Sequence, residues 1–227
     1  MPGQIELTEV PFFAQDRYQC GPAALATVLQ STSLAVTPQE LTSEVYLPGR
    51  KGALQVELVA AARARDRLTY PVTGELSALL EQVAAGRPVL VLQNLGIKAV
   101  PIWHFAVVIG YDLGARTMIL RSGTTQRLVV GTDRFMRTWD RGERWALVVL
   151  EPDQVPANPD LDRYVKAAAS LEAVGRLDAA QRAYSRAREQ WPRSAWPPLG
   201  IANIGYKRGD LPIAESGYVA ALELDPT

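Results

Sequence analysis

Gln15-Asp16-Arg17-Tyr18-Gln19-Cys20-Gly21-Pro22-Ala23-Ala24-Leu25 is the stretch on which the reading of this chain turns. Cys20 is the sole cysteine. The sole histidine, His104, lies in Trp103-His104-Phe105-Ala106-Val107-Val108-Ile109-Gly110-Tyr111-Asp112. A thiol needs a base to act as a nucleophile at neutral pH, and imidazole is the usual partner. Any cysteine–histidine chemistry within the chain therefore uses this pair. Gly21-Pro22 leads from the cysteine into an apolar run. Proline belongs in the first turn of a helix, so a helix is expected to start at Cys20 and run to about residue 31. A helix N-terminus carries partial positive charge and unpaired N–H groups, which lower a thiol pKa. The competing reading is a buried structural cysteine.

Gln15 lies five residues before Cys20. A side-chain amide there can donate to a developing oxyanion beside the Cys20 backbone N–H. Gln19 is the other candidate donor, but an adjacent residue has difficulty folding back over the sulfur. His104 opens an apolar strand, where it can project toward a cleft. The group that orients its ring is the open question. Asp112 is acidic, but eight residues of strand separate it from His104 by roughly 26 Å. It reads instead as the start of the turn Asp112-Leu113-Gly114-Ala115-Arg116. If Tyr111 faces Thr117 across that turn, paired positions sum to 228 and His104 faces position 124. Ser122, Thr124 and Thr125 are then the polar candidates. Ser122 is favoured, with Asn94 on the neighbouring strand as a further possibility.

The rest of the chain gives these residues a setting. The 227 residues, 48% of them hydrophobic, suffice for one large domain or two small ones. Lysine plus arginine equals aspartate plus glutamate, 24 against 24, so net charge gives no reason to expect a nucleic acid or an anionic membrane as partner. No apolar run is long enough to span a membrane, and Met1-Pro2-Gly3-Gln4 is not a signal peptide. One cysteine and one histidine cannot assemble the usual zinc ligand clusters, and no cofactor is expected.

The first part reads as α+β. A capping box at Thr37-Pro38-Gln39-Glu40 predicts a helix to about Tyr46, and residues 54–65 and 75–85 are amphipathic helices. Val89 to Gln93, His104 to Tyr111, Thr117 to Arg121, Gln126 to Val130 and Ala146 to Leu150 read as strands of an antiparallel sheet. Prolines at 152, 156 and 159 mark a boundary, giving domains over residues 1–153 and 160–227. The second part repeats. Gly175/Gly209, Ala168/Ala202, Ala180/Ala214, Tyr184/Tyr218, Ala187/Ala221 and Pro192/Pro226 are all 34 apart. That period, with small residues at helix crossings, resembles two tetratricopeptide repeats in an all-α domain.

Cys20-Gly21-Pro22-Ala23-Ala24-Leu25, together with the run from His104 to Asp112, resembles the papain-like bacteriocin-processing peptidases, which remove double-glycine leader peptides. The resemblance spans about residues 5–150 and is closest to a bacterial subgroup with tetratricopeptide repeats fused to the peptidase-like domain. It implies a papain-like cysteine peptidase domain, with Cys20 as nucleophile, His104 as base and Gln15 as oxyanion donor. Two departures stand out. The family's glutamine usually lies six residues before the cysteine, where this chain has Ala14. The family's aspartate, usually in an Asp-Pro pair, falls here on Arg121-Ser122-Gly123. There is no transporter domain, so the leader-peptide substrate does not carry over.

Two functions follow as expectations. In the first, the chain is a cysteine peptidase acting on a peptide or protein, with the repeats docking the substrate or a protein partner. In the second, it is a weak or inactive adaptor that binds peptides and protein partners.

Overall fold

The computed structural model describes residues 1–14, 19–50 and 52–226 of the chain. Its elements in order are strand β1 (Gln4–Glu6), helices α1 (Cys20–Gln30), α2 (Pro38–Val45) and α3 (Gln55–Arg63), strand β2 (Leu68–Pro71) and helix α4 (Leu76–Ala84). Strands β3 (Val89–Asn94), β4 (Trp103–Asp112), β5 (Thr117–Ser122) and β6 (Thr125–Gly131) follow, then helix α5 (Thr132–Asp140) and strand β7 (Ala146–Leu150). Helices α6 (Leu161–Ala173), α7 (Leu177–Gln190), α8 (Trp196–Arg208) and α9 (Leu211–Leu224) close the chain. It divides into two compact units: Met1–Ala62 with Pro71–Val149, and Arg63–Tyr70 with Leu150–Thr227.

In the first unit the strands run β7-β3-β4-β5-β6, each pair antiparallel. Strand β1 pairs with the last three residues of β4, continuing the edge that β3 occupies further back. Helix α1 packs on β3, β4 and β5, and every residue from Gly21 to Leu29 is buried. Leu25, Val28 and Leu29 meet Phe105, Val107 and Ile109 in one core cluster. Burying each such side chain stabilises by about 1.5–3 kcal/mol, so this packing is a large part of what holds the unit together. As the sequence predicts, α1 begins at Cys20, and its first turn contains Pro22. Thr37 and Glu40 form the expected capping box on α2: the Glu40 N–H donates to Thr37 Oγ1 at 3.3 Å, and the Thr37 N–H donates to Glu40 Oε2 at 2.7 Å.

The β4–β5 register differs from expectation near the turn and agrees further on. Asp112 pairs with Thr117 and Tyr111 with Met118, one position off the expected pairing. A bulge between Val108 and Gly110 then removes the offset, so Val108 pairs with Leu120 and Val107 with Arg121, at the expected sum of 228. Three elements carried no readable pattern. Strand β1 is three residues long, β2 is four, and α5 presents mostly charged residues around a buried Phe135–Trp139 pair with ring centroids 5.6 Å apart.

In the second unit, α6 packs on α7, α7 on α8 and α8 on α9. The 34-residue offset is also a structural offset. Gly175 and Gly209 both adopt left-handed backbone, φ 76° and 73°, at the turns into α7 and α9. Tyr184 donates to Glu172 at 3.1 Å and Tyr218 to Asn203 at 2.9 Å, each reaching the preceding helix. The proline-bearing stretch is tied to α6, because Tyr164 Oη donates to Gln154 O at 2.9 Å. Arg63–Tyr70 also belongs to this unit. The Tyr70 hydroxyl accepts the Asp160 N–H at 3.1 Å, and the Arg163 guanidinium lies 5.6 Å from the Tyr70 ring centre.

Gly21 is where α1 meets the segment before α3. A Cβ at this position would lie 2.5 Å from the Ala53 Cβ. Gly21→Ala is therefore expected to cost about 1–3 kcal/mol through overpacking, read as a lower denaturant midpoint.

Candidate active site

Helix α1 delivers Cys20 to the sheet because its apolar residues are buried between helix α2 and strands β3, β4 and β5. The sulfur lies at the first helical residue, and the backbone N–H groups of Phe105, Gly21 and Cys20 itself favour its anionic form. Phe105 follows His104 directly. It also lies beyond the last β4–β5 pair, Val107 with Arg121, so its main chain is open to a partner other than β5. The sequence led us to expect a lowered thiol pKa, and the structure corrects this. Burial outweighs the N–H donors and pushes the Cys20 thiol above its ordinary value.

His104 pairs with Gln93 across β3–β4, and Ser122 ends β5. His104 Nε2 and Ser122 Oγ are 2.8 Å apart. By extension of the Val107–Arg121 pairing, His104 would face position 124, and Ser122 is the diagonal neighbour on the same face of the sheet. Burial lowers the His104 pKa, so the ring is neutral at neutral pH. With Nε2 engaged by Ser122, Nδ1 is the ring nitrogen left for a thiol proton. No hydrogen bond joins Cys20 to His104 among the described residues. The Phe105 backbone, one residue after the ring, links the two.

The other candidates are placed as follows. Gln15 lies outside the described residues. Gln19 precedes α1, where its carbonyl accepts the Ala23 N–H at 3.1 Å. Asn94 does not orient the imidazole: its Oδ1 accepts the N–H groups of Gly96 and Ile102 at 3.0 and 2.9 Å. Thr124 and Thr125 are exposed. Asp112 Oδ1 accepts the Ala115 N–H at 2.8 Å, inside the turn.

Arg121 is a residue that the sequence reading passed over. Its side chain is buried, and it donates to Val10 O at 2.9 and 3.1 Å, Thr8 O at 3.1 Å and Gln126 O at 2.6 Å. It thereby fastens the segment leading toward Cys20 to the strand that carries Ser122. The signal was a lone cation within the apolar run Thr117 to Ser122. Among the described residues, no group of three or more histidine, cysteine, aspartate or glutamate side chains is arranged to hold a metal ion. No helix among them is long and apolar enough to cross a membrane.

The Peptidase C39 like family matches residues 7–139, a span containing Cys20, His104 and Ser122. A search of curated proteins finds no match. Among solved structures, a C39-like peptidase from Bacillus anthracis is similar with a TM-score of 0.53 and 20% identity, over 64% of this chain and 96% of that one. The peptidase domain of Streptococcus ComA, a bifunctional ABC transporter of a quorum-sensing pathway, aligns at TM-score 0.49 and 18% identity, over 62% and 98% of the two chains. A double-glycine-motif protease from an AMS/PCAT transporter, solved with its leader peptide, aligns at 0.46 and 17%, over 63% and 91%. At 20% identity the likeness to the Bacillus anthracis structure is one of fold.

The half-buried thiol, with its pKa pushed up, sets an expected pH profile. Alkylation of Cys20 by iodoacetamide should keep rising with pH through the ordinary thiol range, near about 8.5, without a plateau at neutral pH. A plateau between pH 5 and 7 would identify a resting thiolate–imidazolium pair instead.

Proposed function

The chain belongs to the C39-like peptidase family, and from that membership we propose that it is a cysteine peptidase acting on a peptide or protein substrate. The observation that carries this reading is the Ser122–His104 hydrogen bond of 2.8 Å. It leaves Nδ1 available on a ring whose neighbour, Phe105, contacts the thiol through its backbone.

In this reading Cys20 is the nucleophile and His104 the base. Nδ1 takes the thiol proton as sulfur attacks the substrate carbonyl, and a C–S bond forms as the carbonyl oxygen becomes an oxyanion. Backbone N–H groups at the start of α1, with the Gln15 amide, stabilise that oxygen. The imidazolium then gives its proton to the leaving amine as the C–N bond breaks. Water, deprotonated by the same ring, releases the acyl group from the thioester and restores the thiol. Ser122 is a positioning residue. It fixes the ring through Nε2 but carries no charge to stabilise the imidazolium. Helices α6–α9 act as two tetratricopeptide-type repeats that dock the substrate or a partner protein.

A second reading, a peptide-binding adaptor with little turnover, is favoured by that same neutral hydroxyl and by the burial that keeps thiol and imidazole uncharged. Substitutions separate the two. If the chain is an enzyme, Cys20→Ala abolishes peptide hydrolysis and His104→Ala lowers kcat by about 10²–10⁴-fold. Ser122→Ala costs about 1 kcal/mol, roughly fivefold in kcat. Ser122→Asp moves the acidic limb of the kcat/KM profile to higher pH, because a carboxylate favours the imidazolium. If Cys20→Ala keeps every measured function of the wild type, the chain is an adaptor.

A further inference from the structure

Residues 95–102 join β3 to β4 as an ordered hairpin. The Leu95 N–H donates to Ile102 O at 2.8 Å, and Ile97 and Val100 exchange two backbone bonds of 3.2 and 3.1 Å across the tip Lys98-Ala99. Buried Asn94 holds the base through its bonds to Gly96 and Ile102, and Arg141 Nε donates to Asn94 O at 3.2 Å. Leu95 stands opposite Ile102, and Ile97 opposite Val100. Directly opposed residues share a face of a two-stranded ribbon, so these four side chains form one apolar face. All four, and Trp103 at the base, are between 48% and 66% exposed. Only Gly96 between positions 95 and 103 is less than exposed, so the hairpin stands out as a finger and has no walls of a groove around it.

Cations accompany the finger. Lys98 is at the tip. Arg134, Arg137 and Arg141 follow one another at helical spacing along one face of α5 and its C-terminal cap, and Arg141 is bonded to the finger's base. None of the four has an ion-pair partner among the described residues. The nearby acids Asp133 and Asp140 are paired with Arg116 at 3.1 Å and Arg144 at 2.5 Å, which leaves Glu143 as the one exposed acid in the stretch without an ion-pair partner. The balanced total charge of the chain therefore hides a local cationic excess beside an apolar finger.

We propose that the β3–β4 hairpin docks on an anionic phospholipid bilayer. Four strand residues reach roughly 13 Å, enough to seat the apolar face in the headgroup–acyl boundary and too short to span a hydrocarbon core of about 30 Å. Trp103 at the base suits the interface, and the cations meet lipid phosphates. A free peptide is a poorer match, because nothing encloses the exposed face.

The test is co-sedimentation of the full chain with vesicles of phosphatidylcholine, alone or with about a third phosphatidylglycerol. The wild type should partition onto the anionic vesicles and less onto the neutral ones. The double variant Ile97→Ser/Val100→Ser should reduce partitioning at least about tenfold. Arg134→Gln/Arg137→Gln should erase most of the preference for anionic vesicles. Both sets lie on the surface, and an unchanged unfolding midpoint checks their fold. Absence of wild-type binding, or binding that the hairpin variant leaves intact, overturns the proposal. So does a hairpin variant that loses cleavage of a soluble protein while the wild type ignores vesicles, because that assigns the face to a protein partner. Sedimentation needs no turnover, so the proposal stands or falls apart from the catalytic reading.

Discussion

Burial of helix α1 against the sheet is the constraint on which the rest depends. The helix has no polar face to offer solvent over Gly21–Leu29, so its position is dictated by α2 together with β3, β4 and β5. Cys20 is carried to the β4 main chain as a consequence of that packing. The same packing desolvates the sulfur, so what positions the thiol also raises its pKa.

The residues around His104 show how strand geometry divides labour. Arg121 and Ser122 are adjacent on β5, and adjacent strand residues point to opposite faces. The guanidinium holds the main chain of Thr8 and Val10, while the hydroxyl meets the imidazole. One dipeptide thus serves both sides of the site. A carboxylate in place of the hydroxyl would add charge stabilisation to the imidazolium.

Much of this was legible in the sequence because it is written in local chemistry. Proline after Cys20 marks the helix start, Thr37 and Glu40 mark a cap, and the 34-residue offset marks glycine turns later found in left-handed backbone. Apolar runs marked β3, β4, β5 and β7. What escaped depends on tertiary context. The bulge between Val108 and Gly110 shifts the pairing by one position, and only the folded sheet reveals it. Strand β1 takes its conformation from the β4 edge, since three residues carry no period of their own. The sign of the Cys20 shift follows from how deeply the helix start is buried, which a helix-terminus argument alone does not contain.

The neutral state of the lone thiol bears on how long the protein lasts. Peroxide and disulfide exchange act on thiolates, and the oxidation of cysteine proceeds along a ladder whose upper rungs are irreversible. A sulfur held mostly protonated by its surroundings climbs that ladder slowly. The chain has no second cysteine to trap a sulfenic acid as an internal disulfide, so resistance at the first rung is its main protection. The burial that makes Cys20 a reluctant nucleophile at rest also makes it a durable one.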